Sequence, residues 1–194
     1  MRYYPLTAFT PSTQAGNAQV FVRLLFVFLA VLALGACSPT MNWRVISNSD
    51  SGYSATFPDK PVVVTRDLNL AGLKVPLTLQ AAAVEGAYFA VGVVELKGDL
   101  ASKGKELNDA LIQALANNVK VDKAQVEQKP WAGLPSADWV SANGTLPDGS
   151  KARALGRFFE HQNRLYEVIL VGPDHKMDSA TVTQFFSGFK LLGL

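Results

Sequence analysis

The sequence predicts an α+β fold: a twisted antiparallel sheet of about six to eight strands, covered by two main helices. Short runs with the alternating polarity of half-buried strands follow one another and are separated by turns rich in Gly, Asn and Asp. Two other segments repeat apolar residues every three or four positions, which is the period of a helix. Because helices do not separate every pair of strands, the order argues against a doubly wound parallel sheet.

The first half of the chain contains the first group of strands. Turn-forming residues bound each of them, and Ala71-Gly72 is a predicted hairpin turn. The last strand of this group is apolar enough to lie in a covered part of the sheet. The predicted strands of this half are 42–47 (a possible first strand), 53–57, 62–70, 73–84 and 87–96.

Both helices belong to the second half. Leucines and alanines at spacings of three and four predict an amphipathic helix over residues 104–120. The second helix carries its apolar face on residues 182–189, and Asp174 or Asp178 can cap its start. The strands between the helices are predicted at 124–131, 136–146, 151–161 and 164–171.

An apolar run precedes the predicted domain. Leu24 to Ala36 are 13 consecutive apolar residues, fewer than the roughly 20 that a membrane-spanning helix needs. Arg23 before the run and small residues at its end are typical of a secretory signal peptide. We therefore interpret residues 1–36 as a leader and signal peptide that is removed from the mature protein.

The only cysteine of the chain, Cys37, follows this run directly. The sequence Leu34-Gly35-Ala36-Cys37 resembles the lipobox of bacterial lipoprotein signal peptides. The resemblance implies that diacylglycerol is attached to the Cys37 thiol, that cleavage occurs just before it, and that the new amino terminus is acylated, for example by palmitate. The alternatives are a buried cysteine acting as a small apolar side chain and ordinary cleavage after Gly35.

Lipidated Cys37 would be the anchor of the protein in the cell envelope. Ser38, in place of Asp, resembles lipoproteins released to the outer membrane, so the expected location is the outer membrane on its periplasmic side. Residues 37–50 are interpreted as the lipidated cysteine, a tether and the possible first strand. Residues 51–194 are interpreted as one domain, large enough to fold without disulfides.

The charge of the chain excludes two classes of partner. Removing Arg2 and Arg23 from the 18 Lys and Arg leaves 16, against 16 Asp and Glu, so the net charge of +2 belongs to the leader. A neutral domain has no basic surface for nucleic acid and no basic cluster for anionic lipid. We expect no nucleic-acid partner, and membrane attachment through Cys37 alone.

No set of residues with the spacing of a catalytic or metal site is present. His161 and His175 lie fourteen positions apart and do not match a zinc pattern. The motifs of a nucleophile elbow and of phosphate-binding loops are absent. We predict that the protein is not an enzyme and has neither a metal nor another cofactor.

Two glutamates lie close to a predicted turn. Glu160 and Glu167 flank the Gln162-Asn163 turn, and paired carboxylates can perform acid–base chemistry. Because Arg157 and Arg164 lie nearby in the sequence, cross-strand ion pairs are the favoured interpretation.

Trp131 and Trp139 are the candidate binding residues. They flank the segment Gly133-Leu134-Pro135, which is predicted as a loop. Two interpretations stay open: aromatic core positions, or a groove near residues 131–139 that holds a partner or ligand, because exposed tryptophan favours interfaces.

Several motifs resemble the PsbP/Mog1-like superfamily over most of residues 51–192: GYSATFPDKPV, GLPSADW, LPDGSKARALGRFFEHQNRLYEVILVGP and FFSGFKLL. They match a strand ending in Phe-Pro, a hairpin with Asp-Gly, a strand with Leu-Tyr and a last helix ending in Ser-x-Phe. The resemblance implies an α+β domain in a binding or assembly protein, as PsbP is on a photosystem and Mog1 on a small GTPase. No binding motif of either protein matches residue by residue.

The sequence thus leads to two hypotheses for function. The first is a non-catalytic, lipid-anchored cell-envelope protein that acts as a binding or assembly module for an unidentified protein partner. The alternative is a periplasmic carrier of a small ligand or lipid, which requires an apolar cavity in the domain.

Overall fold

Ten strands and two helices make up residues 41–193, the part of the chain that the computed structural model describes. The helices are α1 (Gly104–Asn117) and α2 (Ser179–Ser187), each preceded by a short 3-10 turn (Gly98–Leu100 and Asp174–Lys176). The strands are β1 (Arg44–Asn48), β2 (Tyr53–Phe57), β3 (Val62–Leu70), β4 (Leu73–Val84), β5 (Ala87–Glu95), β6 (Gln125–Trp131), β7 (Leu134–Thr145), β8 (Lys151–His161), β9 (Arg164–Pro173) and β10 (Lys190–Leu191).

The strands form two antiparallel sheets. Seven of them make the large sheet, in the order β3-β4-β5-β9-β8-β7-β6, and β1-β2-β10 make a small one. The predicted α+β class is confirmed. The separate small sheet was not predicted, because it pairs β2 with β10 from the end of the described chain, a contact that no local pattern encodes.

Two-residue turns connect four of the five hairpins of the large sheet. Both central residues have positive φ at Ala71-Gly72, Glu85-Gly86, Ala132-Gly133 and Gln162-Asn163, and this conformation matches the right-handed twist of the strands. The Ala132-Gly133 turn corrects one expectation. The segment between the two tryptophans was predicted as a loop, but β7 already begins at Leu134, because the tight turn leaves the following residues free to pair with β6.

Each face of the large sheet has its own apolar core. One face is covered by α1, whose Leu107, Leu111 and Leu115 are fully buried. The small sheet and α2 cover the other face with an aromatic core that includes Phe89 and Phe185. Strand β9 lies near the centre and is therefore buried on both faces.

The two helices begin and end close to the predicted positions. At the start of α2, the Asp178 side chain accepts a hydrogen bond from the backbone N–H of Thr181 at 2.7 Å, so Asp178 is the cap of the two candidates. Asp174 instead pairs with Arg153, with 2.6 Å between its Oδ1 and the arginine Nε. Helix α1 ends at Asn117, and Val119 just beyond it is still buried.

The predicted signal peptide (residues 1–36), Cys37 and Ser38 lie outside the described residues, so signal-peptide cleavage and lipidation stay predictions. Within residues 41–193 no helix has the length and apolar character needed to cross a membrane.

Candidate functional site

A cavity of about 400 Å³ lies between α1 and the large sheet. Strands β3, β4, β5 and β9 form its floor, and the second half of α1 forms one wall. Its volume lies in the range of small-molecule sites, which are mostly apolar with a few polar groups. The lining residues are Leu68, Leu77, Leu79, Tyr88, Leu111, Ala114, Leu115, Asn118, Glu167, Ile169 and Val171.

The position of α1 explains why this cavity exists. The helix packs mainly on β8 and makes fewer contacts with β9, β7 and β3. The part of the sheet formed by β3, β4 and β5 is therefore only partly covered. Leucines from β3 and β4 line the uncovered part, so the space beside the helix is apolar.

Glu167 is the one acidic side chain on the wall of this cavity. It lies in the middle of β9, paired with Gly92 of β5 on one side and Phe158 of β8 on the other. Its residue surface is 5% exposed. Burial raises the pKa of the Glu167 carboxyl from 4.5 to about 7, because an ionised carboxylate is poorly solvated among apolar groups.

Gly92 makes room for this carboxyl. A Cβ atom at residue 92 would lie 2.5 Å from Oε1 and 2.6 Å from Cγ of Glu167, well inside van der Waals distance. A glycine inside a strand often marks a place where another group approaches the backbone closely. The Glu167 side chain therefore occupies the space above Gly92, on the α1 side of the sheet.

Two residues are located at the accessible side of the cavity. Tyr88, on β5, is 41% exposed although it lines the cavity. Asn118, directly after α1, is also exposed and supplies a polar amide. The cavity thus combines an apolar body, a buried carboxyl at its floor and polar groups near its opening.

Glu167 is not among the site residues predicted from the sequence. The two glutamates that flank the Gln162-Asn163 turn do not face each other, because the register pairs Glu160 with Leu165 and Glu167 with Phe158. The ion pairs expected between these glutamates and Arg157 or Arg164 are also wrong, because Arg164 approaches Glu95 instead, at 4.0 Å between nitrogen and oxygen. The one available signal was that a glutamate interrupts an otherwise apolar strand, RLYEVILV.

Trp131 and Trp139 lie together, on the opposite face of the large sheet. The guanidinium carbon of Arg157 is 4.8 Å from the ring centroid of Trp139 and 5.5 Å from that of Trp131, within the range of cation–π contacts. Trp131 also stacks on Phe189, with 5.0 Å between centroids. Both indoles are half-buried, so they contribute to the core and still present a surface.

Two nitrogen atoms of the Arg157 side chain lack hydrogen-bond partners in the described residues. Its Nε and Nη1 atoms are buried and have no hydrogen-bond partner within residues 41–193. Burial lowers the pKa of the Arg157 guanidinium from its ordinary value. The binding role of Trp131 and Trp139 stays a prediction. Because Arg157 contacts both indole rings, we call the three residues the Trp131–Arg157–Trp139 cluster.

The two histidines are not brought into a common site. His161 ends β8, and its Nε2 is buried without a hydrogen-bond partner in the described part of the chain. His175 lies in the 3-10 turn before α2, at the edge of an open polar hollow next to Asp174 and Asp178. Among residues 41–193, no group of three or more His, Cys, Asp and Glu side chains is arranged to hold a metal ion.

The fold and the cavity define a class: an antiparallel α+β domain with a ligand-sized apolar cavity between a helix and the sheet. No protein-family model matches the chain, and no curated protein matches it. Among solved structures, the solution structure of the cyanobacterial PsbP (CyanoP) from Synechocystis sp. PCC 6803 is similar, with a TM-score of 0.43 and 15% sequence identity over 82% of this chain and 99% of that chain. The similarity to that PsbP concerns the fold alone.

Proposed function

We propose that this chain is a non-catalytic binding module that holds a small apolar molecule in the cavity between α1 and the sheet. The observation that carries the proposal is the cavity itself, about 400 Å³ and lined mainly by aliphatic side chains. Small-molecule sites are concave, mostly apolar spaces of about 300 to 1,000 Å³. A space of this size beside a helix therefore supports a role in which a ligand fills it.

A fluorescent apolar probe tests this proposal. We expect N-phenyl-1-naphthylamine, a neutral molecule, to bind the full chain reconstituted in phosphatidylcholine nanodiscs, with the signal of empty nanodiscs subtracted. Ala114→Phe places a ring inside the cavity and should abolish the bound signal. Ala101→Phe adds the same ring at an exposed position outside the cavity and should leave the signal unchanged. Equal signals from both variants would contradict the proposal.

The location of this module is the second part of the proposal. The lipobox-like sequence ending at Cys37 supports a lipid anchor in the bacterial envelope, and Ser38 supports the outer membrane on its periplasmic side. Two or more acyl chains give stable membrane attachment without a membrane-spanning helix. The binding module would then face the periplasm.

The intact mass of the protein purified from membranes tests the anchor. We expect a chain that begins at Cys37 and is heavier than its sequence by a diacylglycerol group and a fatty acyl group. A Cys37→Ser variant should lose this added mass and leave the membrane fraction, or keep its leader. An unmodified Cys37 in the wild-type mature protein would contradict the lipoprotein interpretation.

A second candidate function, a module that assembles with a protein partner, is favoured by the Trp131–Arg157–Trp139 cluster. Trp and Arg are the residues most enriched at the energetic centres of interfaces, and Arg157 has buried nitrogen atoms without partners in the described residues. Variants separate the two candidates. A partner is first isolated from solubilised envelope with the wild-type protein. If Arg157→Met loses this partner and Ala114→Phe keeps it, the partner binds at the cluster. If Ala114→Phe loses it and Arg157→Met keeps it, the partner binds at the cavity.

A further inference from the structure

We infer that the cavity selects apolar molecules that carry one cationic nitrogen, and that the Glu167 carboxylate is the group that holds this cation. The inference rests on the proposed function, since it names the chemistry of the ligand that the cavity would take. It is carried by the position of Glu167 and by the composition of the cavity wall.

Glu167 has no partner of its own in the described part of the chain. The elements packed around it present Leu77 and Leu79 from β4, Phe158 from β8, and leucines from α1. Among the side chains that line the cavity, Glu167 and Tyr88 are the only titratable ones within residues 41–193, and no Lys, Arg or His is present. No side chain that lines the cavity within residues 41–193 therefore supplies a counter-charge for the carboxylate.

The sheet accommodates this carboxyl at the expense of side-chain packing. Gly92 has no side chain to pack in a central strand, and any Cβ there would overlap the Glu167 carboxyl. An isolated carboxylate in apolar surroundings is unfavourable unless it is paired. The arrangement is therefore better suited to a ligand than to stability alone.

A cation satisfies this site better than the other ligand classes. An ammonium group entering the cavity pairs with the carboxylate in a medium of low polarity, where the Coulomb attraction between opposite charges is stronger than in water. The ring of Tyr88 near the opening adds an aromatic surface that cations favour. A fatty carboxylate would be repelled by Glu167. A neutral molecule with a hydrogen-bond acceptor would need Glu167 in its protonated form instead.

Three ligands with an eight-carbon aliphatic chain distinguish these ligand classes: octyltrimethylammonium is a cation, octanol is neutral and octanoate is an anion. Each competes with N-phenyl-1-naphthylamine on nanodisc-bound full chain, and Ala114→Phe defines the signal outside the cavity. We expect octyltrimethylammonium to bind best. Its affinity should rise about tenfold between about pH 6 and about pH 8, because the ionised fraction of Glu167 rises by that factor when its pKa is about 7. The octanol affinity should not rise.

The Glu167→Gln variant is the second arm. It keeps the size of the side chain and removes the charge, so the octyltrimethylammonium affinity should fall by more than tenfold at about pH 8 and lose its pH dependence, while octanol binding stays within about twofold. The inference is overturned if the variant binds the cation as tightly as wild type, or if octanol binds better at low pH and outcompetes the cation. If the variant does not fold, as judged by circular dichroism, the wild-type pH series decides alone. Binding of the fluorophore without any preference for the cation would refute this inference and leave the proposed function intact.

Discussion

The free energy of unfolding is expected to fall by about 3 kcal/mol through Glu167 alone when the pH rises from about 4 to about 8. Burial raises the pKa of this carboxyl from 4.5 to about 7 in the folded state. Below the unfolded-state pKa the group is protonated in both states and has no effect. Between 4.5 and 7 the unfolded state loses its proton first, so stability decreases with pH, and above about 7 the loss is complete.

Other carboxyls act in the opposite direction and must be separated from Glu167. The pKa of Asp178 is lowered by the backbone N–H of Thr181, and that of Glu95 by the side chain of Lys97, so both stabilise the fold as the pH rises through their low values. The Glu167 contribution is therefore the difference between wild type and Glu167→Gln, measured by urea unfolding at each pH.

A matched control is available on the neighbouring strand. Glu160 lies on β8, on the same face of the sheet, and its residue surface is exposed. Glu160→Gln makes the same substitution at an exposed residue and serves as the control, whereas Glu167→Gln should remove the decrease between about pH 4.5 and about pH 7. Parallel profiles for wild type and Glu167→Gln would show that Glu167 is not buried as described.

Gly144→Ala is expected to destabilise the protein by about 3 kcal/mol. Gly144 lies in β7 against the segment that follows α1. A Cβ at residue 144 would lie 1.9 Å from the carbonyl oxygen of Val119 and 2.8 Å from a methyl carbon of Val121. The Val119 oxygen accepts a hydrogen bond from the Thr145 N–H at 2.9 Å. Because a backbone oxygen cannot rotate away as a side chain can, α1 and β7 must separate. Thermal and urea unfolding measure the loss.

Gly149→Ala provides the comparison for this variant. No heavy atom lies within 4 Å of a Cβ built at residue 149, and its φ is +85°. Alanine there carries only the conformational strain of a positive φ, which costs about 1 kcal/mol. If Gly144→Ala destabilises no more than Gly149→Ala, the segment after α1 does not contact β7 as described.

The local pattern of residues determined most of the secondary structure. Alternation in Tyr53–Phe57 predicted a strand, and Tyr53, Ala55 and Phe57 are buried on one face. The repeat of leucines predicted α1 with its buried face. Such patterns are readable because each element presents one face to the core and the other to solvent.

The candidate site was decided by tertiary structure. Strand β9 is buried on both faces, so its apolar residues lose the alternation that would assign Glu167 to one of them. Whether that glutamate forms an ion pair or stands alone in a cavity depends on the register, which places Gly92 and Phe158 beside it. It also depends on α1 packing mainly over β8.

The same division holds for the whole chain. Sequence alone determined the α+β class and most strand and helix positions, and it motivated the lipid anchor at Cys37 as a prediction, because these depend on residues close together in the chain. The small sheet, the Trp131–Arg157–Trp139 cluster and the cavity around Glu167 join residues far apart in the chain. Only the order and register of the strands bring those residues into contact, so only the tertiary structure reveals them.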